Sequence, residues 1–543
     1  MDQQTVDNAP TQPFDIVEAF QSPPCIYHDD TPLLHVSDLP QDAWTLRDAF
    51  EGVQVFGATG SGKTSGVGRA LAHAFLKGGM GGLVLCAKND EAETWQRYAQ
   101  ETGREGDILR LSPDSPHSFN FLEYELRRSP DDADMAVTNV VNMLINIMDV
   151  AARATSLSAP SAGDKFWDNS VKMLLRQSIR MLYATYGRVQ LPEVIELLQT
   201  APTKAEQFQD EKWLTESFFA QTLREFYETG GGRFPPERED AKRLIQFWRK
   251  SYIAIPEKTR GNVLTTLETE LDPLLSGRMR RLFCSDTSIV PELTHDGAVI
   301  VLDFPIKEYG DGAVMAQQIV KYAWQRATER RRVHARTRPV FLFADECQFF
   351  LSAYDMEYQS TARSARAATV YMTQNLPILF SKIGGNHPET VVHALIGNLR
   401  TKIFHTNTDE ITNTWASRMV GKTTIWRETL GQNTGWSNSN SAGTSTHKGE
   451  SHTTSVGGEG VGWSSAYTGG SGTSDTRTDG QSGGTSYSRN EQWDYAVEPE
   501  DFNKQLRSGG RRHGYQVTGV IMQAGRIWQR NRKHWMQVAF NQR

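Results

Sequence analysis

Residues 53–64 read Val53-Gln54-Val55-Phe56-Gly57-Ala58-Thr59-Gly60-Ser61-Gly62-Lys63-Thr64. The first four favour a short buried strand, and the last eight match the pattern G-x-x-x-x-G-K-[ST] of a phosphate-binding loop. A helical pattern follows from Ser65 to Leu76, and Leu83-Val84-Leu85-Cys86 favours a second strand. A strand, a glycine-rich loop, a helix and a strand form a βαβ unit, and such units build parallel sheets covered by helices. The sequence therefore predicts an α/β fold with a mostly parallel sheet.

The glycine-rich loop has the chemistry of a nucleotide site. Its backbone N–H groups are expected to point at phosphate oxygens, and the N-terminus of the following helix adds a favourable dipole. We expect Lys63 to hold the β- and γ-phosphates and Thr64 to bind Mg²⁺. The predicted ligands are ATP and Mg²⁺, and the predicted nucleotide-binding residues are Gly57, Ala58, Thr59, Gly60, Ser61, Gly62, Lys63 and Thr64.

An acidic pair follows a later apolar run, Phe341-Leu342-Phe343-Ala344-Asp345-Glu346. A phosphate-binding loop needs an acidic element on a nearby strand to orient magnesium and to activate water. Ligands of open α/β sheets bind beyond the carboxyl ends of the strands, where this pair would lie. We therefore predict Asp345 as a Mg²⁺ ligand and Glu346 as the residue that polarises the attacking water. A surface Asp-Glu pair after an ordinary strand is the alternative.

A polar triplet, Thr373-Gln374-Asn375, follows the next apolar strand pattern. Gln374 is expected to contact the γ-phosphate or its attacking water and to report hydrolysis to the rest of the chain. Capping of the strand end is the alternative role.

Two arginines, Arg363 and Arg366, lie in a helical stretch between the acidic pair and Gln374. Each is a candidate arginine finger, which reaches the nucleotide of a neighbouring subunit and stabilises transition-state charge. The alternative for each is a solvated helix face.

The bulk composition limits the class of protein. The chain has 543 residues, a net charge of -6 and four widely spaced cysteines without a CxxC pair. More than one module is expected at this length, and a nucleic-acid contact would have to come from local basic clusters. Neither a signal peptide nor a run of eighteen apolar residues is recognisable, so the chain is expected to be cytoplasmic without a membrane span of its own.

The predicted secondary structure changes along the chain. Amphipathic helical patterns fill residues 131–286, whereas strand patterns return at 298–302, 340–343, 369–372 and 401–404. The predicted organisation is a disordered arm (1–24), two segments of a nucleotide-binding domain (25–130 and 287–429), an inserted all-α domain (131–286), a flexible insertion rich in Gly, Ser and Thr (430–489) and a C-terminal segment that rejoins the core (490–543).

Two basic clusters are candidates for nucleic-acid contact. The first contains Arg326, Arg330, Arg331, Arg332, Arg336 and Arg338. The second, in the tail, interleaves Trp528 and Trp535 with arginines, which suits stacking on unpaired bases. A solvated helix end and a closing strand with outward cations are the respective alternatives.

Together these motifs resemble the TraG/TraD-like coupling proteins of conjugation and type IV secretion, within the HerA/FtsK superfamily of ring-forming ATPases. Further similar segments are Asp164–Asn169, Glu257–Thr266, Ser360–Gln374, Ser417–Gly421 and the positions Asn398 and Asp409. The resemblance implies a RecA-like nucleotide domain, a homohexamer, DNA bound without sequence specificity in a central channel, and a helical insertion that recognises a relaxosome or a secretion component.

One departure from this family concerns the membrane. Coupling proteins typically carry N-terminal transmembrane helices, and none is recognisable here. The chain is therefore expected to belong to a soluble branch or to be recruited to the inner membrane by a partner.

Three functional hypotheses follow. The first is an ATP-dependent DNA translocase of the coupling type. The second is a nucleotide-switched recruiter of protein substrates in a secretion or defence system, without DNA pumping. The third is a scaffold with a degenerate site, against which the intact Lys63, Thr64, Asp345 and Glu346 argue.

Overall fold

The computed structural model describes residues 14–15, 17–18, 26–128, 132–155, 164–232, 237–384, 387–443, 451–457, 460–466 and 474–543. Within these ranges, side chains are described except in 14–18, 153–155, 164–168, 425–443, 451–457, 460–466 and 474–491. The contacts divide the chain into two units, of which one comprises Thr11–Ala416 and Pro499–Arg543 and the other includes Ser417–Glu498.

The strands, numbered in chain order, are β1 (Phe14–Asp15), β2 (Val17–Glu18), β3 (Pro32–His35), β4 (Ala43–Thr45), β5 (Val53–Phe56), β6 (Gly81–Cys86), β7 (Ile108–Leu111), β8 (Val299–Asp303), β9 (Val340–Ala344), β10 (Ala367–Thr373), β11 (Thr401–Phe404), β12 (Lys422–Gly443), β13 (Ser451–Gly457), β14 (Gly460–Ala466), β15 (Ser474–Tyr495), β16 (Gln516–Gln523) and β17 (Trp535–Asn541).

Ten of these strands form one sheet in the order β1-β17-β16-β11-β5-β10-β9-β6-β8-β7. Seven of its pairings are parallel, and β16 is antiparallel to both β11 and β17. Every residue of the six central strands β5, β6, β8, β9, β10 and β11 is buried. Such continuous burial is typical of strands covered by helices on both faces. The predicted α/β fold with a mostly parallel sheet is confirmed.

The helices are α1 (Leu46–Phe50), α2 (Arg69–Lys77), α3 (Glu91–Glu101), α4 (Phe121–Arg127), α5 (Ala133–Thr155), α6 (Asp164–Tyr186), α7 (Leu191–Thr200), α8 (Glu211–Glu216), α9 (Phe218–Glu228), α10 (Arg238–Gln246), α11 (Tyr252–Ala254), α12 (Glu257–Leu275), α13 (Gly277–Phe283), α14 (Ile306–Arg330), α15 (Ala353–Thr361), α16 (Leu376–Ile383), α17 (Pro388–Gly397), α18 (Glu410–Val420) and α19 (Asp501–Lys504). Single π-turns occupy Thr64–Gly68 and Phe247–Ser251.

Helices α5 to α13 lie in sequence between β7 and β8, where the sequence predicts an inserted helical segment. The described residues there contain no strand. By their contacts these helices belong to the same unit as the large sheet. The aromatic side chains of the segment Asp164–Asn169 lie outside the described side chains.

Among the described residues, one helical stretch is long and apolar enough to cross a membrane, Ala133–Ala152, with a mean hydropathy of 1.4. Asn139, Asn142 and Asn146 interrupt its apolar run, and 56% of it is buried inside the protein. It packs against α6 and α14. Its apolar face is therefore occupied by packing within the fold, as in the core helix of a globular protein.

The first residues differ from the prediction of a disordered arm over 1–24. Strand β1 pairs in parallel with β17, with Phe14 opposite Val538, and β2 pairs with β3. An edge strand exposes unpaired N–H and C=O groups, and pairing with β1 covers the edge of β17 at Val538 and Ala539. The rest of the predicted arm, together with Cys25, lies outside the described residues.

The unit that includes Ser417–Glu498 contains two antiparallel pairs of strands. Strands β12 and β15 pair from Lys422 opposite Tyr495 to Gly443 opposite Ser474, and β13 pairs with β14. The described residues of the insertion predicted over 430–489 therefore form paired strands. Composition measures what side chains can bury, whereas a hairpin satisfies its backbone groups through pairing alone.

A buried ion pair joins α14 to α15 beneath the sheet. Lys321 Nζ lies 2.7 Å from Asp355 Oδ2, and both side chains are at most 1% exposed. Asp355 Oδ1 accepts hydrogen bonds from the hydroxyl of Tyr371, at 2.6 Å, and from Gln325 Nε2, at 2.8 Å. Burial by itself raises the pKa of Asp355, but Lys321 and these hydrogen bonds outweigh it and hold the pKa below its ordinary value. The network fixes the chain between β9 and β10.

Removing one member of this pair is expected to be costly. Lys321→Met leaves the Asp355 carboxylate buried without its cation, which should lower the free energy of unfolding by about 3–5 kcal/mol. Urea denaturation followed by circular dichroism measures this loss. The double variant Lys321→Met/Asp355→Asn should recover part of it, because no charge is then buried. A double variant at least as unstable as Lys321→Met would contradict this account.

Candidate active site

The glycine-rich loop follows β5 at the carboxyl edge of the sheet. Gly60 and Gly62 have φ angles of +75° and +83°, in the left-handed region that favours glycine. A Cβ atom at Gly62 would also lie 2.4 Å from a side-chain carbon of Val517. The loop therefore needs glycine at this position for both conformation and space. The next helix begins as a π-turn over Thr64–Gly68, a distortion that is frequent at functional sites.

The acidic pair meets this loop from β9. The hydroxyl of Thr64 donates to Asp345 Oδ2 at 2.6 Å, and Lys63 Nζ lies 3.5 Å from Glu346 Oε1. Glu346 adopts a left-handed φ of 53°, and its N–H donates to Asp345 Oδ1 at 2.9 Å. The turn after β9 thereby presents both carboxylates to the glycine-rich loop, where the sequence places them.

Two glutamines hold the second carboxylate. Gln348 Nε2 donates to Glu346 Oε2 at 2.9 Å, and Gln374 Nε2 donates to the same oxygen at 3.4 Å. Burial by itself raises the pKa of Glu346, but Lys63, Gln348 and Lys88 outweigh it and lower the pKa to about 2. Glu346 is therefore an anion at neutral pH and accepts hydrogen bonds with both oxygens.

Gln374 lies directly after β10 and just before α16. Asn375 caps that helix, since its Oδ1 accepts from Ile378 N at 3.0 Å. The helix cap is therefore provided by Asn375, and the Gln374 side chain turns to the acidic pair.

The two arginines lie at the other end of β10. Arg366 precedes the strand and is 8% exposed, and its guanidinium donates to the carbonyls of Thr337, at 3.0 Å, and Tyr27. Arg363 is half-exposed, and its Nη1 lies 3.2 Å from Glu51 Oε1. A strand of seven residues separates them from Gln374, a distance of roughly 23 Å. Within one chain, neither arginine reaches the acidic pair.

Two residues of the site, Lys88 and Gln348, were not predicted from the sequence. Lys88 follows β6, and its Nζ lies 3.3 Å from Asp345 Oδ2 and 3.0 Å from Glu346 Oε1. Its signal was its place after an apolar strand, because carboxyl ends of parallel strands meet at one edge. Gln348 belongs to no motif and reaches the site through the turn after β9.

A cavity of about 530 Å³ opens at this edge of the sheet, within the size range of small-ligand sites. Its lining includes Lys63, Thr64, Lys88, Asp345, Glu346 and Gln374. The hydroxyl of Ser61, in the glycine-rich loop, is buried without a hydrogen-bond partner. Two ammonium groups and a glycine-rich loop suit a phosphate chain, and Thr64 and Asp345 supply hard oxygen ligands, which suit Mg²⁺. The residues present fit the predicted nucleotide and metal.

Comparison with known proteins also points to coupling proteins. The sequence-family profile TraG-D_C, described as the TraM recognition site of TraD and TraG, matches residues 339–456. The structure is similar to the bacterial conjugative coupling protein TrwBdeltaN70 in its unbound form, with a TM-score of 0.54, 14% identity, and coverage of 92% of this chain and 87% of that one. The resemblance to TraG/TraD-like coupling proteins is confirmed.

Two further structures of the plasmid coupling protein TrwB have the same fold. The complex with the non-hydrolysable GTP analogue GDPNP has a TM-score of 0.53 and 13% identity, and covers 96% of this chain and 97% of that chain. The complex with ADP and Mg²⁺ has a TM-score of 0.53 and 14% identity, and covers 92% and 87%. No curated protein matches the chain by sequence.

In this fold, some members of the two predicted basic clusters are engaged within the protein. Arg331 donates to the carbonyls of Ala365 and Arg338, and Arg338 donates to that of Gly79. In the tail, Trp528 is fully buried, with the Arg526 guanidinium 4.2 Å from its ring centroid. The prediction that Trp528 stacks on bases is therefore wrong, because the ring is covered by the fold.

A buried histidine supports the glycine-rich loop from behind. The N–H of His405 donates to Phe56 O at 2.8 Å, and its Nδ1 lies 3.0 Å from Thr518 O. A Cβ at Gly57 would be 2.9 Å from the Cβ of His405. Burial lowers the pKa of His405 to about 4, so the ring is neutral at pH 7 and donates from Nδ1.

The fold should therefore lose stability on acidification through His405. Its folded pKa lies below the unfolded value near 6.5, so the unfolded chain binds the proton first and stability falls as pH drops from 6.5 towards 4. The expected loss between pH 7 and pH 5 is about 2 kcal/mol. Urea unfolding at the two pH values measures it. His405→Gln should show a pH dependence smaller by that amount, and an equal dependence in both proteins would exclude His405 as the source.

Proposed function

We propose that the chain is an ATP-dependent DNA-translocating motor of the coupling-protein type. The observation that carries the proposal is the contact of Thr64 with Asp345 and of Lys63 with Glu346 across the carboxyl edge of the sheet. This pairing of a phosphate-binding loop with two carboxylates is the arrangement that nucleotide hydrolysis requires. TrwB, which has the same fold, has been crystallised with ADP and Mg²⁺.

In the proposed complex, the loop Gly57–Thr64 binds the phosphates through its N–H groups, and Lys63 holds the β- and γ-phosphates. Thr64 and Asp345 hold Mg²⁺, which neutralises charge on the phosphate oxygens when bound. Glu346, ionised and held by Gln348 and Gln374, orients the attacking water and accepts a proton from it.

Gln374 is the proposed sensor of this cycle. It contacts Glu346 and starts the segment that leads into α16, so a change at the carboxylate is passed to a helix. Arg363 is the proposed arginine finger towards a neighbouring subunit of a ring, because its guanidinium is half-exposed. Arg366 does not take this role, because its guanidinium donates to the main-chain carbonyls of Thr337 and Tyr27.

The proposed assembly is a homohexamer with DNA in its channel, bound without sequence specificity. Residues 25–130 and 287–429 form the nucleotide domain in this proposal, and the helical residues 131–286 face a relaxosome or secretion component. The chain works in the cytoplasm and reaches the inner membrane through a partner. The support is the shared fold with a conjugative coupling protein.

A second function is favoured by one observation, the match of residues 339–456 to a segment described as a TraM recognition site. A nucleotide-switched recruiter would use this region to bind a protein and would not pump DNA. The two functions differ in whether DNA changes the rate of ATP hydrolysis.

Steady-state ATP hydrolysis with and without single- and double-stranded DNA tests the motor. DNA is expected to raise the rate, and Glu346→Gln should lower it by about 10²–10⁴-fold while ATP still binds, because a positioned general base is lost. Lys63→Ala should abolish binding of ATP as well. The assay is run at low salt, since contacts with phosphates weaken as salt rises. Hydrolysis that DNA leaves unchanged would refute the motor and favour the recruiter.

The sensor role is tested by Gln374→Ala. We expect ATP to bind as in the unchanged protein, whereas the stimulation of hydrolysis by DNA should fall to near one, because Glu346 loses the contact that links it to α16. The exposed Gln199 of α7 provides the matched control, Gln199→Ala. Stimulation that survives in Gln374→Ala would reduce Gln374 to a residue of the strand end.

A further inference from the structure

Lys88 occupies a position that no motif assigns. Its ammonium lies 3.0 Å from Glu346 Oε1, 3.3 Å from Asp345 Oδ2 and 3.6 Å from Glu91 Oε1. Asp345 and Glu346 are the same two carboxylates that contact Thr64 and Lys63 from the other side. Lys88 is therefore a second cation, beside Lys63, that contacts the acidic pair of the candidate site.

The loop that carries Lys88 is fixed from several directions. Glu91 Oε2 accepts from the N–H of Ala87, at 2.6 Å, and from that of Lys88, at 3.3 Å. The N–H of Ile306 donates to Ala87 O at 3.2 Å, and Gln317 Nε2 donates to Cys86 O at 2.9 Å. These bonds anchor the loop to α3 and α14, so the Lys88 side chain starts from a defined backbone.

The two lysines approach from opposite sides. Strands β10 and β9 lie between β5, which leads to Lys63, and β6, which leads to Lys88. The Lys88 side chain is 45% exposed and lines the cavity, so its ammonium faces the space that a phosphate chain would fill.

We propose that Lys88 is a second phosphate-binding cation, which donates to the terminal phosphate of ATP opposite Lys63 and stabilises its transition-state charge. In hydrolysis a water oxygen bonds to the γ-phosphorus, and the bond from that phosphorus to the bridging oxygen breaks with its electron pair left on ADP. Glu346 accepts the proton that the water loses and releases it to solvent. Lys88 in this way does within one chain what an arginine finger does. The inference rests on the proposed ATPase activity.

The test separates binding of the terminal phosphate from catalysis. Dissociation constants for fluorescent ADP and for the non-hydrolysable ATP analogue AMPPNP, both with Mg²⁺, are measured for Lys88→Ala and Lys88→Arg. Lys88→Ala should bind ADP within about twofold of the unchanged protein but AMPPNP about tenfold more weakly, a factor that corresponds to one charged contact. Its kcat should fall by about 10²–10³-fold, as for loss of one preorganised donor.

The controls keep the outcomes distinct. Lys88→Arg retains the charge and should restore most of the AMPPNP affinity, and Lys212→Ala removes an exposed lysine of α8 and should change nothing. ADP binding reports that the site of each variant is folded. If Lys88→Ala weakens ADP and AMPPNP equally or neither, Lys88 does not contact the terminal phosphate. An unchanged protein that binds AMPPNP without hydrolysing ATP would refute the proposed activity, while the ratio of the two affinities would still decide the role of Lys88.

Discussion

The parallel pairing of four central strands is the constraint on which the site depends. Phe56 is opposite Thr373, and Ala344 is opposite both Tyr371 and Leu85, so β5, β10, β9 and β6 end within about two residues of one another. The residue after each strand therefore emerges at one edge. A slip of one residue in any pairing would turn every side chain of that strand to the other face of the sheet.

This geometry brings several acidic side chains close together, and neighbouring ammonium groups offset their negative charge. Three carboxylates, those of Glu91, Asp345 and Glu346, meet two ammonium groups in a largely buried place. Burying a carboxylate is unfavourable unless it is paired and hydrogen-bonded. Burial and the neighbouring Asp345 accordingly raise the pKa of Glu91 above its ordinary value, whereas the more fully paired Glu346 stays ionised. In the proposed mechanism Glu346 accepts a proton, whereas Glu91 anchors the Lys88 loop through the N–H groups of Ala87 and Lys88.

Short local patterns in the sequence predicted which residues lie together at this edge of the sheet. The glycine-rich loop, the acidic strand end and Gln374 can each be recognised from a few consecutive residues. The structure brings them together. Lys88 and Gln348 were missed because one lysine or glutamine after a strand is not a pattern. The hairpin of β12 and β15 was missed because backbone pairing, which composition does not report, holds it together. The pairing of β1 with β17 joins residues more than 500 positions apart, beyond any local signal.

A cluster of basic residues in the sequence does not mean that all of its cations are free to bind a ligand. The guanidinium groups of Arg331, Arg366 and Arg526 donate to main-chain carbonyls, and these bonds fix loops and do not attract phosphates. In the first cluster Arg332 and Arg336 are exposed, in the loop that leads into β9. That loop lies at the amino end of the strand whose carboxyl end bears Asp345. In the proposed motor, a phosphate that binds at this loop would shift β9. The five buried residues of β9 would pass this shift to Asp345, the proposed magnesium ligand.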